Sequence, residues 1–475
     1  MPLAYADHPQ SAPLAPLATI AAPAPGLTVA QAIEHALTQN PMMQQTRARI
    51  AEAQGAIQEA DGSRLPRLDL SFGAMGSNNA LNVFGMKLNQ GRANFNDFGV
   101  QQFFSEAGPT FGNLAGASAT PPDALNHPGW YRNFQTTLKL SVPIYNGGKI
   151  RALRDQAQAL LLAAQSGDQA ARQQLIMQVV QAYAGIDAAN AFVRVTEQAV
   201  EAARSYRDLS KKLFTQGVVS KSDLLTAEVN LGDVKLRHQQ ALDQRANAMD
   251  GLRIVTGMTD GEPFQINQQI AIAPIDLTLA QARDEALRNN PQLAAIGQQI
   301  DAAQAGVTAA RSVYKPQFNL MAQQDWNSYN LGLRNDSYTV GGVLSWQVLD
   351  FGARAGQVDR AVAGLNQAQA QQQVAGNQLM NQVGEIWRAA ALAEQRLAVK
   401  KLAISQSEEA TRLENLRYAQ GLSTMTNLLQ SQAALDKARA EYVSAQYELT
   451  VQRASLLLAT GNLTPERISG TALPQ

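Results

Sequence analysis

The chain contains the same segment twice, and this duplication constrains its fold more than any other feature. LTVAQAIEHALTQNP begins at Leu27 and LTLAQARDEALRNNP begins at Leu277, a shift of 250 residues. Further along, Gln216-Gly217 recurs as Gln420-Gly421 at a shift of 204. We infer a tandem duplication of about 200 residues, whose first copy carries 46 extra residues between Pro66 and Leu140. A unit that is copied within a chain is also suited to being copied by oligomerisation.

Composition excludes several classes of function. Lys+Arg and Asp+Glu both number 39, so net charge gives no sign of a nucleic-acid partner. The chain has no cysteine, which removes disulfides, thiol catalysis and cysteine metal sites. Its histidines share no metal spacing, and no nucleophile elbow or phosphate loop is present. We expect no enzyme activity, no cofactor and no metal.

The N-terminal segment, residues 1–26, can be interpreted in two ways. Ala4-Tyr5-Ala6 before Asp7 has the small-residue pattern of a signal-peptide cleavage site, which favours a signal remnant. The alternative is an ordinary Ala/Pro-rich extended tail. No apolar run in the sequence is long enough for a membrane-spanning helix.

Two proline-free windows predict unusually long helices. Single helices from about 149 to 214 and from about 354 to 418 fit these windows, which are rich in good helix formers. At 1.5 Å per residue each would be about 100 Å long. Gly217 and Gly421 suit the left-handed residue that ends a helix. Ser220 and Thr424 can then cap return helices over about 222–256 and 426–460, so each tip is a helical hairpin.

The return helices are shorter than the long helices, and additional short helices are expected to make up the difference in length. Asn40-Pro41 and Asn290-Pro291 are typical of a cap followed by a first-turn proline. The helices that they begin would have about 20 residues and stack end to end with the return helices.

Four stretches alternate between apolar and polar residues, as a half-buried strand or a strand crossing a bilayer does. They cover about 66–75, 132–144, 316–327 and 338–349. Four strands cannot close a barrel, and open sheet edges are not tolerated in lipid. If these strands lie in a membrane, several chains must pool them.

These features together resemble the TolC family, the outer-membrane factors of Gram-negative efflux and secretion systems. The resemblance rests on the duplicated helix starts, the hairpin tips, and the strand-to-helix turns Pro143–Gly148 and Val348–Gly352. It implies an α+β membrane protein whose tandem-duplicated long α-helical hairpins form a periplasmic α-barrel. It also implies a homotrimer, in which each chain contributes four β-strands to a twelve-stranded outer-membrane β-barrel.

The function implied by the resemblance is the outer-membrane exit duct of a tripartite efflux pump. Such a duct conducts substrates passively from an inner-membrane RND or ABC transporter and a periplasmic adaptor (membrane fusion) protein, and outer-membrane lipid surrounds its barrel. Two alternatives remain open. One is the outer-membrane channel of a type I protein secretion system, and the other is a non-conducting periplasmic helical-hairpin scaffold.

The same reasoning divides the chain into a first repeat, a second repeat and short ends. The first repeat is 27–263, with an insertion at about 74–131 and a tip at about 214–223. The second repeat is 264–463, with a tip at about 418–427, and 464–475 is a C-terminal tail.

The tips hold the candidate functional residues. The resemblance implies gate roles for Asp223 and Tyr418, which match family positions. The family's second-repeat arginine and aspartates correspond to Ser423, Asn427 and Gln430, so a salt-bridged latch is largely lost. We expect Asn427 and Gln430 to serve a gate held by hydrogen bonds or packing. Asp223 also fits a helix-start carboxylate favoured by the helix dipole. The candidates for adaptor docking are Gly217, Val218, Gly421 and Leu422.

Aromatic residues give further expectations. Aromatics in the insertion indicate that part of it is packed, either as surface decoration or as a plug in the barrel mouth. A possible interfacial girdle flanks the strands, formed by Trp130, Tyr131, Trp326, Tyr329, Tyr338 and Trp346. Tyr183 and Trp387 lie in the middle of long helices and are expected to pack in a core.

Overall fold

The computed structural model describes residues 26–258, 264–266, 269–270 and 272–468. The N-terminal segment, apart from its last residue, and most of the C-terminal tail lie outside these ranges. The chain forms two compact units. The helical unit comprises Met1–Arg47, Gly167–Gln292 and Gly376–Gln475, and the sheet unit comprises Ala48–Ser166 and Leu293–Ala375. Each sequence repeat contributes residues to both units, so the compact units do not coincide with the repeats.

The first repeat contains most of the short elements. In chain order its elements are β1 (Gly26–Leu27), α1 (Val29–Gln39), α2 (Pro41–Gly62), β2 (Arg67–Ser77), α3 (Ala80–Asn89), α4 (Val100–Ala107), α5 (Leu114–Ala119), α6 (Asp123–Asn126), β3 (Tyr131–Tyr145), α7 (Lys149–Thr215) and α8 (Lys221–Thr256). A 3-10 turn at Phe95–Phe98 lies between α3 and α4.

The second repeat follows the same order without the helices of the insertion. Its elements are β4 (Gln265–Ile266), α9 (Leu279–Asn289), α10 (Pro291–Arg311), β5 (Gln317–Ser328), β6 (Asp336–Ser345), α11 (Ala353–Ala419) and α12 (Met425–Ala459). The short helix α13 (Pro465–Ile468) follows in the C-terminal tail. A 3-10 turn at Ser312–Tyr314 follows α10.

The predicted long helices are confirmed, and both repeats build them alike. Helices α7 and α11 each contain 67 residues, and their return helices α8 and α12 contain 36 and 35. Thr28 and Thr278 form capping boxes at the starts of α1 and α9. No helix among the described residues combines the length and apolar content needed to cross a membrane.

Two asparagines join the short and the return helices, as the end-to-end stacking predicts. Asn40 Oδ1 accepts a hydrogen bond from the Met42 N–H at the start of α2, while Asn40 Nδ2 donates to the Val255 carbonyl at the end of α8. In the second repeat, Asn290 Nδ2 donates to the Ala459 carbonyl at the end of α12. One side chain thus satisfies groups at two helix ends that would otherwise lack partners.

The core of the helical unit repeats one contact. The buried Tyr183 hydroxyl of α7 donates to the Leu27 carbonyl at 2.8 Å. At the corresponding position in α11, Trp387 Nε1 donates to the Leu277 carbonyl, also at 2.8 Å. The two aromatics therefore tie each long helix to the start of its own repeat. The expectation of core packing is confirmed for the buried Tyr183, whereas Trp387 is only half-buried.

The sheet unit contains a four-stranded antiparallel sheet in the order β2-β3-β5-β6. Even-numbered positions share one face, as the register Leu70–Leu138–Gln324–Tyr338 shows. This face is mostly apolar and includes Leu68, Leu70, Phe72, Leu138, Leu140, Val142, Leu320, Val340 and Leu344. The odd-numbered face is mostly polar and includes Asp69, Ser71, Gln135, Thr137, Lys139, Gln323, Asp325 and Thr339. Within one chain, β2 and β6 form the sheet's two edges.

The fourth strand is shorter than expected. It ends at Ser345 rather than near 349 because its partner β5 begins at Gln317, which pairs with Ser345. Beyond that point the carbonyls of Gln347 and Val348 accept hydrogen bonds from the Arg354 guanidinium instead of from a strand.

Candidate functional site

The two hairpin tips have the same backbone geometry. Gly217 and Gly421 adopt φ of 74° and 73°, a left-handed conformation that costs a residue with a Cβ free energy. The Val218 N–H donates to the Leu213 carbonyl and the Leu422 N–H donates to the Arg417 carbonyl, both at 2.9 Å. These six-residue loops are the Schellman motif that ends a helix at a glycine. The predicted turn chemistry is therefore present in both repeats.

The caps that follow the turns differ between the repeats. In the first tip, Ser220 Oγ donates to Asp223 Oδ2 at 2.7 Å, and the Asp223 N–H donates back to Ser220 Oγ. In the second tip, the Asn427 N–H donates to Thr424 Oγ1 at 3.3 Å, but the Asn427 side chain does not complete a capping box. Asp223 thus acts as a helix-start carboxylate, with one oxygen held by the cap.

A cluster of apolar side chains joins the two hairpins just behind their tips. This tip cluster contains the buried residues Tyr206, Leu213, Ala227, Tyr418, Met425 and Leu428. Its members come from α7, α8, α11 and α12, so all four helices of the two hairpins contribute. The exclusion of water from these side chains supplies the main attraction between the hairpins at this point.

Tyr418, a candidate gate residue, is fully buried in the tip cluster. Its hydroxyl has no well-oriented hydrogen-bond partner, and neither does the nearby Ser210 Oγ. Burial raises the pKa of Tyr418, Ser210 opposes this rise, and the negative charge of Asp223 adds to it. The structure therefore brings Tyr418 and Asp223 close enough to interact electrostatically.

A polar chain beside the tip cluster was not anticipated from the sequence. The Tyr206 hydroxyl donates to Gln432 Oε1 at 2.8 Å, and Gln432 Nε2 donates to Asp436 Oδ1 at 2.8 Å. Burial raises the pKa of Asp436, against the opposing effects of Gln432, Arg439 and Arg237. A signal was present in the sequence: Gln432 falls on the same helical face as the buried apolar residues of α12, where a polar side chain needs a partner.

The second tip has its own polar contacts. The Ser423 hydroxyl donates to the Glu414 carboxylate, and Asn427 Nδ2 donates to Ser423 Oγ at 3.3 Å. Arg417 Nη1 lies 3.7 Å from Glu414 Oε2. Gln430 is exposed one helical turn further along. Glu414 is the residue that sequence reasoning missed, because its partner lies across the turn.

The candidate docking residues lie at the ends of the tips. Val218 is 53% exposed and Leu422 is 74% exposed, so both apolar side chains are accessible to a partner. A methyl group placed on Gly421 would lie 3.5 Å from Val218 Cγ1, so the two tips are adjacent. Within the described ranges, no three acidic or histidine side chains are placed to hold a metal ion.

Paired helical hairpins joined to a sheet with one apolar and one polar face define a class of outer-membrane duct proteins. The chain belongs to the family described as outer membrane efflux protein, whose profile matches residues 32–258 and 282–462. The resemblance to the TolC family is therefore confirmed, and so is the outer-membrane location. This family consists of export ducts rather than enzymes.

Individual proteins agree with this assignment. The alkaline protease secretion protein AprF of Pseudomonas aeruginosa is 23% identical over 348 residues, covering 70% of each chain. The solvent efflux pump outer membrane protein SrpC of Pseudomonas putida is 23% identical over 367 residues, covering 75% of this chain and 78% of SrpC. The crystal structure of VceC from Vibrio cholerae has a TM-score of 0.70 at 21% identity and covers 91% of this chain and 96% of VceC.

Proposed function

We propose that three copies of this chain assemble into an exit duct, which an adaptor protein connects to an inner-membrane transporter. The observation that carries this proposal is the sheet of one chain, which has two distinct faces and two open edges. An apolar face suits lipid and a polar face suits a water-filled lumen.

The open edges require partners. Among the residues that the structure describes, no further strand lies beside β2 or β6, and unpaired backbone groups are costly in hydrocarbon. Pairing β2 of one copy with β6 of the next would satisfy both edges and close a barrel. Closure with three copies and twelve strands follows the TolC resemblance.

We propose that the tips are the ends that bind the adaptor in the periplasm. Strand β3 leads into α7 and strand β6 leads into α11, and each of these long helices ends at a tip. Val218 and Leu422 offer paired apolar contacts there, held in place by the glycine turns. An adaptor that buries them would gain up to about 1.5–3 kcal/mol for each side chain.

The tip cluster supports a gate. Packing around Tyr418 holds the two hairpins of one chain together, and Asp223 places one carboxylate beside it. Asn427 and Gln430 line the second tip with neutral polar groups. We propose that these residues keep the resting aperture narrow through packing and hydrogen bonds, and that binding of the adaptor separates the hairpins.

The duct itself needs no catalysis. The sequence has no nucleotide-binding motif, so the energy for transport would come from an RND or ABC transporter. Efflux is the function that the family favours. A type I secretion channel is the second candidate, favoured by the similarity to AprF, whose name describes secretion of a protease. The outer-membrane family favours either duct over a periplasmic scaffold.

Planar-bilayer conductance of the detergent-purified protein tests the duct, with its mass measured in the same detergent. We expect a trimer that gives channel currents. A monomer that never inserts would refute the proposal.

Adaptor docking needs a separate test, in which binding is compared between two variants of the same tips. Val218→Asp with Leu422→Asp places charge on the docking surface and should abolish adaptor binding. The matched control, Val218→Ile with Leu422→Met, keeps the surface apolar and should bind normally. Unchanged binding by the aspartate variant would show that the tips are not the docking surface.

A further inference from the structure

The insertion between β2 and β3, residues 78–130, is a folded element. It contains helices α3 to α6 and has its own interior. Lys87 Nζ lies 2.5 Å from Asp97 Oδ1, with both side chains largely buried. The rings of Phe84 and Phe98 meet edge to face at 5.2 Å. A loop with an internal ion pair and a packed aromatic pair holds a fixed shape, so its position on the sheet has consequences.

The insertion is attached to the polar face of the sheet. Gln90 at the end of α3 is buried, and its Nε2 donates to Asn133 Oδ1 at 2.8 Å and to the Arg132 carbonyl at 2.9 Å. The Tyr131 hydroxyl donates to Gln90 Oε1 at 3.0 Å. Asn133 Nδ2 in turn donates to Asn327 Oδ1 at 2.8 Å. Tyr131, Asn133 and Asn327 all occupy odd positions, on the same face as Thr137 and Asp325.

A second contact fixes the insertion to the turn between β5 and β6. The guanidinium group of Arg92, in the insertion, lies 4.9 Å from the centroid of the Tyr329 ring in that turn. Two residues of β3 contact the same ring: the Arg132 guanidinium lies 4.4 Å from its centroid, and the centroid of the Tyr131 ring lies 5.2 Å from it. Partly desolvated cation–π contacts contribute about 0.5–2 kcal/mol each. The insertion is therefore attached both to β3 and to the turn between β5 and β6, at the end of the sheet remote from the long helices.

We propose that the insertion is a fixed cap over the lumen side of the duct's outer exit, which admits small solutes and excludes folded proteins. This inference rests on the proposed function, because the polar face becomes a lumen only when several copies close a barrel. It refines that function by limiting the size of the solutes that can leave through the exit.

The dimensions support a restriction at the exit. Barrels of about 8 strands are filled by their own side chains, whereas those of 16–18 strands leave an aqueous channel. A twelve-stranded barrel lies between these sizes, and a helix with its side chains is about 10–12 Å across. Three caps fixed over the polar face would therefore occupy much of the opening.

The absence of cysteine from the chain permits a direct test by labelling single introduced cysteines from outside intact cells. Ser71→Cys reports on the polar face below the cap, and Leu70→Cys reports on the apolar face. Leu331→Cys, in the exposed turn between β5 and β6, calibrates the reactivity of each reagent. The reagents are a small charged methanethiosulfonate and a bulky polyethylene-glycol maleimide.

The small reagent should label Ser71→Cys, and the bulky reagent should be slower there by about tenfold or more relative to Leu331→Cys. Replacing residues 80–128 by a short Gly-Ser linker should remove this difference. Gln90→Ala combined with Tyr329→Ala should reduce it without deleting the insertion, which covers the case in which the deletion variant does not fold.

Each result has a separate meaning. Bulky labelling of Ser71→Cys at the rate of Leu331→Cys, in the otherwise unaltered chain, would overturn the cap. Equal labelling of Leu70→Cys and Ser71→Cys by the small reagent would show that the sheet has no lipid-facing side, and it would overturn the duct itself.

Discussion

Two tyrosines in the tip cluster give opposite predictions for the same substitution. The Tyr206 hydroxyl donates to Gln432 Oε1 at 2.8 Å in a buried position. Tyr206→Phe removes this bond and leaves a buried acceptor unpaired, which costs about 1–3 kcal/mol. The Tyr418 hydroxyl is buried without a well-oriented partner. Tyr418→Phe removes a group that is already desolvated, so we expect it to stabilise the closed tip by up to about 1 kcal/mol.

Amide hydrogen exchange of the detergent-purified protein measures the effect, because opening of the hairpins exposes the backbone near Met425. A change of about 1–2 kcal/mol corresponds to a change of about 5–30-fold in the open population. Exchange in the first turns of α12 should accelerate in Tyr206→Phe and should slow or stay constant in Tyr418→Phe. Exchange in β3, which belongs to the other unit, is the internal control and should not change.

The reasoning would be refuted if both variants shifted exchange in the same direction. A shared acceleration would mean that the two hydroxyls contribute alike, and that Tyr418 has a partner in the assembled protein. A shared slowing would mean that the bond from Tyr206 does not hold the hairpins together.

Two further predictions concern the tips. Gly217→Ala and Gly421→Ala should each destabilise their tip by about 1 kcal/mol, because the left-handed backbone disfavours a Cβ. Gly232→Ala, inside α8 with open space around it, should instead stabilise the helix. Thermal unfolding separates the two outcomes. The raised pKa of Asp436 means that the closed state favours the protonated acid. The stabilising effect of Asp436 is complete below the ordinary pKa and is lost as the pH rises through the raised pKa. Amide hydrogen exchange at the tips, corrected for intrinsic rates, should therefore slow on acidification in the native protein. This pH dependence should be lost in Asp436→Asn.

Local rules predicted the backbone of the tips well. Each glycine turn and each N-cap depends on residues within one turn of the chain, so Gly217, Gly421, Ser220 and Thr424 could be assigned from sequence. The same holds for the long helices, whose limits follow from proline placement and from the glycines that end them. Duplication strengthened these predictions because each pattern occurred twice.

Contacts between distant segments could not be predicted in this way. The burial of Tyr418 depends on two hairpins meeting side by side. The spacing of residues along the sequence does not show this contact. The attachment of the insertion depends on Gln90, Asn133 and Asn327, the last two of which are 194 residues apart. The alternation within the strands indicated a polar face, but only the register shows that the insertion is attached to that face.

One position at which the two tips differ also tests the gate. Asn427 occupies the place of Asp223 at the shift of 204 residues. Asn427→Asp can complete the capping box with Thr424, a gain of about 0.5–1 kcal/mol. It also gives up the exposed 3.3 Å bond to Ser423 and adds a like charge near Glu414, and exposed charge effects are about 0–1 kcal/mol.

These terms nearly cancel, so the stability of a single chain should hardly change in Asn427→Asp. Any sizeable change in single-channel conductance must then come from carboxylates of neighbouring copies around a shared axis. We expect conductance to fall when magnesium is added to the variant, because a divalent cation can bridge such carboxylates, and to respond less in the native protein. Identical magnesium responses in the variant and the native protein would place residue 427 away from the aperture and remove it from the gate.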